Sequence, residues 1–218
     1  MFPVLPVLSR SDLGLDRLDG GMPEAQTLDK IPVHLLAAIY ASALPFLPED
    51  RYLSLATSYD ELPADRLWSL VHKTLVQSTH APRLSLLQAS ILYFHRHVRD
   101  EHCYAVVDTA SLWSLMGMAV GLAHSLGLNL ECRLFGLPAA EKRIRRRLWW
   151  ALYVEDKWMS LMFGRPPYIR PSEWDVSELD AGDFVTASQP GPLSAVGTTP
   201  FRYMASLSVI AESVQDKL

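Results

Sequence analysis

Charged and aromatic side chains crowd residues 141–170, so a search for chemistry starts there. Two neighbouring carboxylates, Glu155 and Asp156, lie within this stretch. A facing pair of carboxylates can act as general acid and general base, but neighbours on a helix point about 100° apart and cannot share one substrate. The chain also lacks the sequence motifs of serine hydrolases, zinc proteases, phosphate-binding loops and dinucleotide-binding folds. We therefore predict a protein that is not an enzyme.

A second group of reactive side chains consists of His95, His97 and His102, beside Cys103. These residue types bind zinc, but on one helix His95 and His97 would point about 200° apart and could not reach the same ion. Cys132 is the only other cysteine, and no C-x-x-C pair is present. This excludes a disulfide scaffold and a zinc site built on paired cysteines, and it suits a reducing compartment. We expect no metal and no other cofactor in this chain.

A basic cluster occupies five of the six positions from 142 to 147. Its members are Lys142, Arg143, Arg145, Arg146 and Arg147. A run of this kind can serve as a nuclear-import signal or contact phosphate. The alternative is that these side chains pair with acidic groups of neighbouring elements or face water. Positive charge near a helix N-terminus opposes the helix macrodipole, so we expect compensating partners.

These side chains need a rigid element to position them, and the pattern predicts one long helix over residues 138–163. No glycine or proline interrupts it beyond its first residue, and Gly164 followed by Pro166 ends it. Apolar side chains surround the helix almost completely and leave a narrow polar gap near Lys157 and Ser160, which is typical of a central helix. Its tryptophans could stack a base or line a ligand pocket, but this setting assigns them to the core. They are Trp149, Trp150 and Trp158.

Neither Glu155 nor Asp156 has a base three or four residues away along this helix. A buried carboxylate needs a partner, so we expect basic residues from more distant parts of the chain. We predict an ion pair between Asp156 and Arg165. The further candidates are Arg146, Arg147, Arg96 and Arg99.

The remaining sequence predicts an all-α fold, an irregular array of helices around residues 138–163. Helical periodicity covers five further segments, and strand-like alternation never extends beyond a few residues. The segments are 33–46, 64–79, 83–98, 108–126 (with Asp108 or Thr109 as N-cap and Gly127 as C-cap) and 200–218. Residues 1–30, which are rich in proline and glycine, are expected to form an irregular N-terminal arm.

Residues 111–128 carry no formal charge, which raises the question of a membrane span. Their three serines and three glycines favour a buried core helix instead. Gly117 and Gly121 lie one turn apart, with Ser114 and Ser125 on the same side. Small residues in this arrangement predict the close approach of a neighbouring helix.

The 218-residue chain has a formal net charge of −4 and a pI near 6.0. Nucleic-acid-binding domains usually carry a basic excess, so we predict that the chain does not bind duplex DNA by itself. The last predicted helix has apolar residues about every three positions, and this unpartnered apolar face predicts that the chain self-associates or is poorly soluble and that a C-terminal extension cures this. The apolar residues of this helix are Phe201, Met204, Leu207 and Ile210, with Val214 one turn further on.

Two stretches, residues 113–128 and 145–169, resemble one family in both order and spacing. This is the fungal-specific transcription factor domain, the middle homology region of zinc binuclear-cluster regulators. In the second stretch the matching residues are Arg146, Arg147, Trp149, Trp150, Asp156, Gly164, Arg165 and Pro166. Including weaker similarity, the resemblance covers roughly residues 31–180.

The resemblance implies a non-catalytic regulatory domain of a fungal transcription factor, located in the nucleus and controlling RNA polymerase II transcription. The family binds DNA through a separate six-cysteine zinc cluster, and this chain has two cysteines. Zinc and DNA contacts are therefore expected only from a module outside it. The expected partners are other parts of the full-length regulator, the transcription machinery and a small-molecule effector, with no membrane.

The family domain is longer, so residues 31–218 are expected to be its N-terminal part, truncated at the C-terminus. The alternative is a helical scaffold or small-metabolite-binding module that retains the fold without DNA binding.

Overall fold

The computed structural model describes residues 6–8, 25–49, 64–96, 106–184, 192–215 and 217. Across these ranges every regular element is helical, which confirms the all-α class. The α-helices are α1 (Ala25–Leu28), α2 (Val33–Ala43), α3 (Ala64–Gln77), α4 (Leu84–Phe94), α5 (Val106–Ser125), α6 (Ala139–Phe163) and α7 (Pro192–Gln215). Short 3-10 helices cover Leu44–Glu49, Pro171–Glu173 and Ala181–Phe184.

Helix α6 is the predicted central helix. Every residue from 146 to 157 is buried, because α4, α5, α7 and a 3-10 helix all pack against it. It begins after Pro138 and ends at Gly164, as predicted. Gly164 has φ +61°, and the carbonyl of Ser160 accepts the backbone amides of Gly164 and Arg165. A residue with a side chain would be destabilised by about 1–2 kcal/mol in this left-handed conformation.

The narrow polar gap on α6 does not face solvent. Lys157 and Ser160 are both 0% exposed, whereas Leu161 and Met162, at the end of the helix, are 46% and 68% exposed. A buried lysine requires oxygen partners from other elements. The partners of Lys157 are described with the site below.

Two clusters of buried apolar side chains form the core. One surrounds α6 and takes side chains from α4, α5 and α7, and the other lies among α2, α3, α4 and α5. Helix α4 contributes to both, with Leu87 and Ile91 in the first cluster and Leu86 and Ala89 in the second. Helices α4 and α5 therefore join the two halves of the molecule.

Residues 165–184 form a return segment that folds back along α6. The segment contributes apolar side chains to the core around that helix. They are Ile169, Val176, Leu179 and Phe184. It also presents backbone carbonyls and amides to polar side chains of α6, and these contacts build the candidate site.

Several helix boundaries differ from the sequence prediction. Helix α2 gives way early to the 3-10 helix Leu44–Glu49, whose two prolines cannot donate backbone hydrogen bonds. Helix α5 begins at Val106, so the N-cap predicted at Asp108 or Thr109 is wrong. Gly127 ends this helix with φ +67°, as predicted.

Helix α7 begins at Pro192 and contains Pro200, which was predicted to be its first residue. Proline inside a helix loses one backbone hydrogen bond but keeps a helical φ, so it does not by itself fix the start. Part of the predicted N-terminal arm is helical, at Ala25–Leu28, while residues 1–5 and 9–24 lie outside the described residues.

Candidate functional site

A buried ion pair joins α6 to the return segment. The guanidinium of Arg146, which is 4% exposed, donates to the carboxylate of Asp183 and to the carbonyls of Ser177 and Glu178. Asp183 also accepts the amide of Asp180 at 2.9 Å. Burial raises the pKa of Asp183, against the lowering effect of the Asp180 amide and of Arg146. Arg146 thus holds the second half of the return segment against α6.

Trp149 and Trp150 lie in the core, as predicted. With Tyr153 and Trp174 they form an aromatic cluster in which neighbouring ring centroids are 5.3–6.0 Å apart. Trp150 also donates its Nε1 hydrogen to the carbonyl of Ser177 at 3.0 Å. These rings pack on one another, so they are not arranged to stack a nucleic-acid base.

Asp156 is fully buried and holds the first half of the return segment. Its carboxylate accepts the backbone amides of Tyr168 at 2.9 Å and Ile169 at 3.0 Å, and Nζ of Lys157 lies 3.4 Å away. Burial raises the pKa of Asp156, against the lowering effect of both amides and of Lys157. The predicted ion pair between Asp156 and Arg165 is therefore wrong, because backbone amides and the adjacent lysine satisfy this carboxylate.

Arg165 lies against aromatic rings. Its guanidinium carbon is 5.6 Å from the centroid of the Trp113 ring and 5.8 Å from that of Phe163, within the range of a cation–π interaction. The Trp113 ring also packs on Tyr168, with 4.6 Å between centroids. Pro166, the next residue, is exposed. The two stretches that carry the sequence resemblance thus meet in this aromatic group.

Gly117 lets the return segment approach α5. A Cβ at this position would lie 2.9 Å from the ring of Tyr168, so the close neighbour is a loop residue and not the predicted helix. Gly121 has no atom of the described residues within 4 Å of its Cβ position, and the close approach of a helix predicted there is not found among them. Ser114 and Ser125 donate their hydroxyls to carbonyls of their own helix. Among the described helices, none combines the length and apolarity needed to cross a membrane.

The residues that link α6 to α7 were not predicted from the sequence. Nζ of Lys157 contacts the carbonyl of Ile169 and lies 2.7 Å from Oε1 of Glu212. Tyr153 donates its hydroxyl to Oε2 of Glu212 at 2.7 Å. Oxygens of Ile169, Glu212 and Asp156 therefore compensate the buried ammonium group. The sequence contains one indication of this link: Lys157 lies on a helix whose other side chains are apolar almost all the way round.

Two further hydrogen bonds hold α7 on α6. Trp158 donates its Nε1 hydrogen to Oγ of Ser208 at 3.0 Å, and Gln215 donates its side-chain amide to Oγ of Ser160 at 2.9 Å. Trp158 is half-buried, and it contributes this hydrogen bond in addition to apolar packing. Specific side-chain pairs, in addition to apolar burial, therefore fix the register between these two helices.

Glu155 is bound by His95, at the C-terminal end of α4. Nε2 of His95 lies 2.5 Å from Oε1 of Glu155. Burial lowers the pKa of His95, but the hydrogen bond and charge of Glu155 raise it by more, so the net shift is upward. The partner of Glu155 within the described residues is distant in sequence, as predicted, and is a histidine, whereas the candidate Arg99 lies outside those residues. His97, His102 and Cys103 lie outside the described residues, and within the described ranges no cluster of His, Cys, Asp or Glu is arranged to hold a metal ion.

The basic cluster is divided between the interior and the surface. Arg146 and Arg147 are buried and cannot contribute to an exposed import signal. Lys142, Arg143 and Arg145 are partly exposed, and Arg145 forms an ion pair of 3.0 Å with the glutamate one turn before it. Partners of the predicted kind therefore exist for Arg145 and Arg146. A nuclear-import signal, which stays a prediction, would be limited to the three exposed positions.

A cavity of about 380 Å³ opens between α7 and the return segment. Its floor is buried and apolar, formed by Trp150, Leu179 and Ala205. Its exposed rim carries Glu178 and Arg202, and Arg202 donates from Nε to the carbonyl of Leu179 at 3.0 Å. Both signs of charge therefore flank one apolar hollow.

The amino-acid sequence of this chain matches one family of known proteins. The profile of the fungal-specific transcription factor domain matches residues 22–190. An uncharacterized transcriptional regulatory protein of Schizosaccharomyces pombe is 30% identical over 190 residues, which are 86% of this chain and 26% of the relative. The transcriptional activator protein DAL81 of Saccharomyces cerevisiae is 32% identical over 151 residues, 69% of this chain and 14% of the relative. The chain thus spans about a quarter or less of the length of these relatives, and no solved structure matches it.

Proposed function

Because the chain belongs to the family of fungal-specific transcription factor domains, we propose that it is the non-catalytic regulatory domain of a transcription factor that controls RNA polymerase II transcription in the nucleus. Its relatives are named as transcriptional regulators and activators. DNA binding would come from a zinc cluster outside this chain. Its partners would be other parts of the regulator and the transcription machinery.

The residues that carry the family resemblance support this proposal, because several of them lie in the interior and join structural elements. Arg146 and Asp156 are buried, and each one binds backbone groups of the return segment. Lys157 binds the same segment and α7. A catalytic group must reach a substrate, whereas these side chains join three elements into one body. That rigidity suits a domain that restrains or transmits the activity of attached modules.

A reporter experiment tests this proposal. The chain is placed between a heterologous DNA-binding module and an activation segment in a fungal host. We expect reporter transcription to differ by at least about fivefold from a fusion that carries an unrelated helical protein of equal length. Asp156→Ala should abolish the difference, and Asp65→Ala, an exposed carboxylate on α3, should preserve it. Equal output from the chain and the unrelated protein would contradict the proposal.

The alternative from sequence, a small-metabolite-binding module, has its own test. Metabolites are screened by thermal shift on the purified chain, since a ligand that binds only the folded state raises its melting temperature. A shift without any effect in the reporter assay would favour that alternative. A shift together with a reporter response would identify a small-molecule effector of the regulatory domain.

A further inference from the structure

The hollow between α7 and the return segment lies where three elements of the fold meet. Its floor is formed by Trp150 of α6, Leu179 of the return segment and Ala205 of α7, which are 3%, 6% and 6% exposed. The volume of about 380 Å³ falls within the range of about 300–1,000 Å³ that is typical of small-molecule sites. Because the floor residues belong to the core, the packing of α6, α7 and the return segment sets the shape of the hollow.

Helix α7 differs from the sequence prediction in the apolar residues that it buries. Phe201 is 1% exposed and packs with Met204 against the core around α6, whereas Leu207, Ile210 and Val214 are at least 50% exposed. The single apolar face predicted for this helix is therefore divided between core and solvent. The hollow opens along this boundary, and Ile210 is one of its wall residues. Self-association and poor solubility stay predictions.

Two opposite charges on the rim of the hollow lack partners. Arg202 donates from Nε to the carbonyl of Leu179 at 3.0 Å, which holds its guanidinium beside the hollow. Within the described ranges, the two terminal nitrogens of this guanidinium and the carboxylate of Glu178 make no hydrogen bond and no ion pair, either with each other or with other groups. Among the described residues that line the hollow, these two alone are charged. A guanidinium and a carboxylate are therefore both available to a molecule bound there.

This combination of groups fits a zwitterion. An anionic ligand would be attracted by Arg202 and repelled by Glu178, and for a cationic ligand the two effects would be reversed. A neutral apolar ligand would use neither charge. A small molecule with one carboxylate, one ammonium group and an apolar side chain satisfies all three features, since the guanidinium donates to its carboxylate and Glu178 accepts from its ammonium group.

We propose that the hollow binds a free amino acid with a branched or aromatic apolar side chain. Its carboxylate lies against Arg202, its ammonium group against Glu178 and its side chain over Trp150. Both charges lie on an exposed rim, where ion pairs contribute little, so the dissociation constant is in the range of about 0.1–1 mM. The bound amino acid joins α6, α7 and the return segment. The binding itself is independent of the proposed function, whereas its role as an effector rests on that function and names the chemical class of the effector.

Isothermal titration calorimetry of the purified chain with L-leucine and L-phenylalanine tests the proposal. We expect at least one of the two amino acids to bind. Matched probes each lack one feature: isocaproate and phenylpropionate lack the ammonium group, isoamylamine and phenethylamine lack the carboxylate, and glycine lacks the apolar side chain. Each probe should bind at least about tenfold more weakly than the corresponding amino acid.

Two variants assign the charges. Arg202→Gln and Glu178→Gln should each weaken amino-acid binding at least about tenfold. Glu178→Gln should also remove the preference over the probe without an ammonium group, and Arg202→Gln the preference over the probe without a carboxylate, which a merely structural role would not do. Arg66→Gln on α3 and Glu173→Gln, at exposed positions outside the hollow, are the matched controls. Circular dichroism confirms that each variant is folded.

The absence of binding by either amino acid at about 10 mM would overturn the proposal. Probes that bind as tightly as the amino acids would do the same, as would an affinity that Arg202→Gln and Glu178→Gln leave unchanged or that the controls weaken equally. These measurements use no reporter, so a failure here would leave the proposed function standing. Binding without any effect on reporter transcription would keep the site and contradict its role as an effector site.

Discussion

At the scale of single residues, Asp156 shows how one carboxylate fixes a chain reversal. Its two strongest partners are the backbone amides of Tyr168 and Ile169, a dozen residues further along the chain. Backbone amides are present at every position except proline, so residue types give no hint of which ones a buried carboxylate will bind. For this reason the predicted arginine partner was wrong.

Replacement of Asp156 should destabilise the domain strongly. Asp156→Ala leaves two amides and the buried Lys157 with fewer oxygen partners, and breaking such a buried arrangement costs about 3–5 kcal/mol. Urea unfolding measures the loss. Asp65→Ala on the surface of α3 is the control and should change stability by no more than about 1 kcal/mol, the contribution of a carboxylate in the first turn of a helix. A similar small loss in both variants would mean that Asp156 does not hold the return segment.

The contact between His95 and Glu155 should make stability depend on pH. The pKa of His95 is raised in the folded protein, so its stabilising contribution is complete below the ordinary histidine pKa of about 6.5 and is lost as the pH rises through the raised pKa. We expect the stability difference between the native protein and His95→Gln to be larger at about pH 6 than at about pH 9. His80→Gln, at an exposed histidine, serves as the control. A difference that does not vary with pH would contradict the assignment.

At the scale of elements, the sequence predicted the helices better than their contacts. Periodicity and the cap Gly164 located α6 almost to the residue, because both signals are local. The partners of Lys157 and Arg146 are separated from them by up to 55 residues along the chain, and no local pattern contains them. Burial of a charged residue on an apolar helix could be anticipated, but the identity of its partner could not.

Two glycines of α5 give a matched prediction at this scale. Gly121→Ala should stabilise the protein by about 0.5–1 kcal/mol, because alanine favours a helix interior and no atom in the described part of the chain lies within 4 Å of the new methyl group. Gly117→Ala should instead destabilise it, because the new methyl group would meet the Tyr168 ring at 2.9 Å and disturb its packing on Trp113. Thermal unfolding of both variants measures these two changes in stability. Stabilisation by both substitutions would show that the return segment tolerates displacement.

At the scale of the whole molecule, charge limits what the chain can bind. With a net charge of −4 it gains little from releasing counterions from a nucleic acid. We expect band-shift assays at about 50 mM salt to detect no tight complex between the isolated chain and duplex DNA. Fusion to a zinc-cluster module should supply such binding and is the positive control. Sequence-dependent shifts by the chain alone would show that part of its surface recognises DNA directly.

The burial of α6 also has a consequence for how the protein is made. Its neighbours α4 and α5 precede it in the chain, but α7 follows it, and Lys157 meets Glu212 only after 55 more residues have been added. At about 5–20 residues per second, a ribosome needs roughly 3–11 s for this interval. During this interval, the tryptophan-rich helix α6 lacks its last neighbour, and Lys157 lacks one of its three oxygen partners. The nascent polypeptide is then most exposed to chaperones, and slowing translation between these two positions would lengthen that window.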